Sequence, residues 1–333
     1  MRVGVDAFTL RDLKLDPIGA LDYAKRHGLA GVQFGRLDGP RARQVRDRAD
    51  SLGLYCEVGV DTPNPHAAKC SPRQLADRLA AQIKAAAECG WHELHSWCGG
   101  PDARWGGGVP WSQQMAETKA LLDEVAPILR DCGSRLNLEP KGGVSTFEAV
   151  EIIEAVGQDV AGICLDTANV LCFAEDPIEA VRRVAPYTHM THCKDAIIYF
   201  CEAGLRRQVR PPGEGVIDWE KILPILAEHS PGLTLSIEDH KWLYDIPIFT
   251  DAWHEAVGGL SRAELAKTVA LAWGCQKRIA SGELSDPDEY EKTPHLDEMQ
   301  PRLEAARDYL NGCIRRLGLV SHPADRGGPR GRQ

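Results

Sequence analysis

The 333-residue sequence predicts an α/β protein, a (β/α)8 TIM barrel with a C-terminal helical extension. Three observations predict it. Eight short, mostly apolar stretches alternate with helical ones, each joint marked by a capping residue or a glycine, and no N-G or D-G hairpin signal interrupts the series. No G-x-G-x-x-G follows the first stretch, so a closed barrel is favoured over an open nucleotide-binding sheet.

The first strand is MRVGVDAFTL, and the helix DPIGALDYAKRHG follows with Asp16 as N-cap, Pro17 at its first position and Gly28 past its end. GVQFG (31–35) is the second strand, and its basic helix stops at Gly53. LYCEVGV (54–60) is the third, with a helix opened by Ser71-Pro72 and ended by Gly90. WHELHSW (91–97) is the fourth, followed by a helix over 113–131. RLNLEP is the fifth; Ser145 and Glu148 have capping-box spacing at the start of its helix. AGICLD is the sixth, with Asp176-Pro177 after it, and YTHMTHC the seventh, with Asp218 capping the next helix. LTLSIED (233–239) is the eighth. The barrel is expected over 1–280, a helical extension that packs on the barrel or on a second subunit over 281–320, and a disordered Gly-, Pro- and Arg-rich tail over 321–333.

Composition narrows the function. Asp and Glu outnumber Lys and Arg by 48 to 39, a net charge of −9, so no basic field exists for nucleic acid or anionic lipid. No apolar run approaches the ~20 residues that span a bilayer. Eleven cysteines without a C-x-x-C pair, and no recognisable secretory leader, read as free thiols in a cytoplasmic protein. A small-molecule substrate is expected.

Chemistry in this fold sits at the C-terminal ends of the strands. Strands five to eight end in Glu139, Asp166, His192 and Glu238, and residues two apart on a strand share a face, so all four side chains point at the barrel axis. Three carboxylates in one dry place repel unless a cation joins them. An oxygen-rich set with one nitrogen suits Mn²⁺, with Mg²⁺ or Co²⁺ as alternatives, better than it suits structural zinc. Lys194 is placed to offset the excess negative charge. His95, at the end of strand four, is a candidate substrate partner. The glycine-rich loop CGGPDARWGGGVPW (98–111) brings Trp105 toward a ligand as a mobile cover, and the loop after strand eight brings Trp242.

The ordered pieces LNLEP, CLDTAN, HCKD, RPPGEGVIDW and LSIED resemble the xylose-isomerase-like barrel family of sugar and sugar-phosphate isomerases and epimerases, over residues 1–240. The resemblance implies one divalent metal on Glu139, Asp166, His192 and Glu238, with the two glutamates also serving as the acid/base pair. It implies proton abstraction α to a carbonyl through a metal-stabilised enediolate, and substrate contact by Arg210. Two departures set the chain apart from simple ketose 3-epimerases. Asn169 stands where a substrate-contacting histidine is common, and Pro140-Lys141 replaces Asn-His after the strand-five glutamate, so Asn169 and Lys141 become substrate-binding candidates. Similar barrels act as dehydratases and as catalytic subunits that cleave keto-glycosides, which makes a lyase, working alone or with a partner subunit, the alternative outcome of the same site. A non-catalytic binding barrel is the third reading, and a homo-oligomer is compatible with all three.

Overall fold

The computed structural model describes residues 1–319, so the tail expected at 321–333 lies outside the described residues. Eight parallel strands close the barrel: β1 (Arg2–Asp6), β2 (Gly31–Phe34), β3 (Tyr55–Gly59), β4 (Glu93–Trp97), β5 (Arg135–Glu139), β6 (Ala161–Asp166), β7 (Thr188–Cys193) and, after an insertion, β10 (Thr234–Ile237). Ring order is β1, β10, β7, β6, β5, β4, β3, β2. The inserted strands β8 (Asp195–Cys201) and β9 (Gly204–Arg210) form an antiparallel hairpin, and β11 (Leu243–Ile246) joins its edge to make a three-stranded sheet.

The caps act as the sequence indicates. Asp16 accepts from Gly19 N–H at 2.8 Å, and Ser145 and Glu148 form the reciprocal capping box. Such caps satisfy backbone donors that a helix start leaves open. The strands bury both faces, as parallel strands under a helical layer must, and Val5, Val32, Leu94, Leu136, Ile163 and Leu235 are closed to solvent.

Two departures from expectation concern the barrel's closing segments. The first is the hairpin itself. Its turn is Glu202-Ala203, and Gly204, which opens β9, adopts φ 140° where a Cβ would press on Ile246 O at 2.7 Å, so only glycine fits. The second is the order of the last helices. Helix His295–Arg316 packs on β1 and β10, burying Met299, Leu303, Ala306 and Leu310 in the main core, and so takes the eighth position of the helical ring. Helix Arg262–Ala280 instead lies on β8, where Cys275 meets Ile197 and Tyr199. The helix expected to close the barrel therefore covers the insertion, and the stretch expected to be an extension does the closing.

Candidate metal centre and active site

Glu139 ends β5, Asp166 ends β6, His192 lies one residue from the end of β7, and Glu238 directly follows β10. These strands are neighbours in the ring, and Asp166 and Ser236 both stand opposite His192 in register. The four side chains are buried, and each offers a ligand atom within 4.8 Å of the others.

Each donor is held in place. Asp166 Oδ1 accepts from the backbone N–H groups of Ala168 and Asn169 at 3.0 and 2.8 Å, while its Oδ2 accepts from Lys194 Nζ at 2.7 Å. Glu139 accepts from Asn169 Nδ2 at 3.1 Å, and its Oε2 lies 3.0 Å from His95 Nε2 and 3.8 Å from Lys141 Nζ. Glu238 Oε1 lies 3.0 Å from Lys194 Nζ and 3.4 Å from His240 Nε2.

Burial alone would raise both glutamate pKa values. Lys141 and His192 nevertheless hold Glu139 well below the usual carboxylate range, and Lys194 and His192 do the same for Glu238. For His192, burial opposes the imidazolium, yet Cys164, Glu238 and Glu139 together raise its pKa well above the ordinary value. Burial pushes the Cys164 thiol up to about 11, so at neutral pH the two carboxylates are the charges that act on the ring.

The residues fit a divalent cation. His192 Nδ1 and Glu238 Oε2 are buried and 2.9 Å apart, an ion pair whose alignment falls short of a hydrogen bond. Buried ligand atoms converging in this way are what a bound cation, replacing the shared proton, would satisfy. A cavity of about 280 Å³, lined by Asp6, Phe8, His95, Lys141, His192 and Glu238, opens beside them. A larger cleft of about 620 Å³, beside Arg104 and Lys119, holds none of the four donors.

Of the other residues singled out from the sequence, the structure brings His95, Lys141, Asn169 and Lys194 to this cluster. Arg210 is elsewhere. Its guanidinium lies 3.4 Å over the Tyr290 ring and bonds Gln208 Oε1 at 2.5 Å, on the side facing the C-terminal helices. Arg207, an odd number of residues earlier on β9 and so on the opposite face, is the arginine joined to the cluster: its Nη1 donates to Asn169 Oδ1 at 3.1 Å. Trp242 stacks on Arg207 at 4.6 Å rather than standing free. Trp105 is 41% exposed at the rim, and its N–H reaches Tyr244 Oη at 3.2 Å. The loop carrying it is pinned, because Arg104 is sealed among the rings of Trp105, Trp111 and Phe173 and bonds both Glu148 oxygens at 2.8 Å.

Three residues of the cluster escaped the sequence reading and a fourth was misplaced by it. Asp6 lies 3.7 Å from His192 Nε2, and Gln33 Nε2 lies 2.7 Å from the same nitrogen. Both close or interrupt an apolar strand, the signal that exposed the other four. His240, two residues past Glu238, follows the same alternation. Arg207 reads from the sequence only as one of three loop arginines, with Arg206 and Arg210, able to meet a phosphate or carboxylate, because the hairpin that sets its face went unrecognised.

Residues 21–256 match the model of the xylose isomerase-like TIM barrel. The chain belongs to that family. The chain is 24% identical over 123 residues to the uncharacterized protein YihM of Escherichia coli (strain K12). That match covers 36% of this chain and 38% of that curated relative. Among solved structures, D-psicose 3-epimerase of Clostridium cellulolyticum H10, solved with D-tagatose, superposes with a TM-score of 0.60 at 14% identity, covering 93% of this chain and 99% of its own. The 3-keto-D-glucoside 4-epimerase YcjR of E. coli gives a TM-score of 0.56 at 13% identity, covering 77% of this chain and 97% of its own. At such identities the likeness speaks for the shared barrel. Among the described residues no helix is long and apolar enough to cross a membrane, and all eleven cysteines are free.

Proposed function

We propose that this chain is a divalent-metal-dependent epimerase or isomerase of a sugar or keto-sugar, acting by proton transfer at a carbon α to a carbonyl. The observation that carries the reading is the pairing of Glu139 and Glu238. Both are buried, both are kept ionised by neighbouring cations, and each has its own histidine within 3.4 Å. Similar barrels bear the names of epimerases, one solved with D-tagatose and one named for a 3-keto-D-glucoside.

Glu139, Asp166, His192 and Glu238 would hold the cation, with Mn²⁺ the best match to three carboxylates and one imidazole. When bound, a divalent cation supplies Lewis acidity to a carbonyl oxygen. The chain's own groups do the proton work. One glutamate, ionised at neutral pH, takes the α-proton; the other returns a proton to the opposite face. His95 Nε2 beside Glu139 and His240 Nε2 beside Glu238 can relay protons to and from these carboxylates. Lys194 holds Asp166 and Glu238 in place, and Asn169, fixed by Arg207, orients Glu139. His95 and Lys141, which line the cavity, would bind substrate hydroxyls.

The test is incubation of the Mn²⁺-loaded chain with ketoses and 3-keto-glycosides in D₂O. Deuterium at the carbon α to the carbonyl, lost in Glu238→Gln, is the expected result. Full exchange in that variant would remove Glu238 from the proton path. Release of an aglycone or an unsaturated sugar would make the enzyme a lyase using the same site.

A further inference from the structure

We propose that the barrel holds a second, thiophilic metal site, in which His95, Cys164 and His192 bind a soft divalent cation such as Zn²⁺ and compete with the oxygen-rich set for His192. The three side chains each offer a ligand atom within 4.8 Å of the others, with Cys164 and His192 buried. Cys164 is two residues before Asp166 on β6, so it shares that strand's inward face one layer deeper in the barrel. The His95 and His192 rings stand 4.9 Å apart, centroid to centroid.

The two nitrogens of His192 face different surroundings. Nδ1 looks toward Glu238 and Glu139, at 2.9 and 3.6 Å. Nε2 looks toward Gln33, whose Nε2 also lies 3.9 Å from Cys164 Sγ. The Gln33 amide that meets these two residues is itself incompletely paired. Gln33 is closed to solvent, and its Oε1 has no hydrogen-bond partner. Exchange of the two amide positions, which the amide's shape permits, sets an oxygen where its nitrogen now meets His192 and Cys164. One thiolate, two imidazoles and a nearby amide oxygen form a donor set for tetrahedral Zn²⁺ or Co²⁺, and a poor one for Mg²⁺ or Mn²⁺.

The competition follows from the imidazole. A neutral ring has a single acceptor nitrogen, so His192 serves one set at a time. A cation on Cys164 therefore withdraws His192 from the set that includes Glu139, Asp166 and Glu238. The thiol gives up its proton to the solvent as the metal binds. This site stands on the geometry of the barrel interior and does not depend on which reaction the protein catalyses.

The full chain, stripped with chelator, is titrated with Co²⁺ alone. The expected result is an intense near-ultraviolet thiolate-to-cobalt band that is kept in Asp166→Asn, lost in Cys164→Ser and bleached by added Zn²⁺. Cobalt bound with only weak visible absorption, or a band that survives Cys164→Ser, would overturn the site. Zinc-edge X-ray absorption on the unmodified chain gives the same decision without a variant. One sulfur with nitrogen neighbours supports the site, and a shell of oxygen and nitrogen alone rejects it.

Discussion

Lys194 Nζ sits 2.7 Å from Asp166 Oδ2, and neither group reaches solvent. The same ammonium lies 3.0 Å from Glu238 Oε1, so one lysine is shared by two members of the proposed metal set. Its charge, together with those of Lys141 and His192, lets these buried carboxylates stand side by side.

Replacement of that lysine should therefore expose the repulsion. Lys194→Met leaves Asp166 and Glu238 buried without their ammonium, and such a loss costs about 3–5 kcal/mol. Urea unfolding of the metal-free chain measures it. Saturating Mn²⁺ should recover a large part of the deficit, since a cation among the same oxygens supplies the missing charge; a deficit unchanged by metal would argue that the four donors do not bind one.

Glu57 predicts a pH dependence. It is partly buried beside Thr234 and Ser236, and loss of hydration raises its pKa from 4.5 to about 7. Between those values the folded chain binds more protons than the unfolded one, so stability falls as pH rises through that window and levels off above it. The shift corresponds to about 3 kcal/mol. Glu57→Gln removes this slope, so the variant should gain on its parent by that amount between pH 4.5 and 7 in paired denaturant titrations. Parallel curves would show that Glu57 keeps its ordinary pKa.

Arg104 should govern the loop at 98–111. Its side chain is 3% exposed and donates to Glu148 and to the Gly143 carbonyl, the latter at 3.0 Å. Arg104→Ala should cost about 3 kcal/mol, and amide hydrogen exchange across the loop should speed up well beyond that of the strands. Unchanged protection would mean that the aromatic rings alone hold the segment.

The fold was legible because parallel strands under helices read as apolar runs, and because Ser145 with Glu148, Asp16 and Asp176 announce helix starts in plain residue types. Glu139, Asp166 and His192 were legible for a related reason: a charge at the end of an apolar run has nowhere to go but the barrel mouth. The hairpin was not. Its two-residue turn is Glu202-Ala203 rather than Asn-Gly, and the arginines that follow read as part of a loop. With the hairpin unseen, the faces of Arg207 and Arg210 were unknown, and Arg210 was expected at the cluster that Arg207 in fact joins through Asn169. The order of the last two helices was invisible too, since both are amphipathic and only packing decides which one meets β1.

That order has a bearing on how the protein is made. Asp239, beside Glu238, receives two bonds from Arg302 at 2.6 and 2.7 Å and lies 3.4 Å from His295 Nε2. Strand β1 is synthesised more than 200 residues before its strand neighbour β10, and the helix that covers both comes later still. Throughout that interval the nascent chain carries an unsealed sheet edge that must be shielded from other chains. The ring is thus sealed only once helix His295–Arg316 has been made, and a message cut short before the codon for Arg302 yields a ring without its clasp.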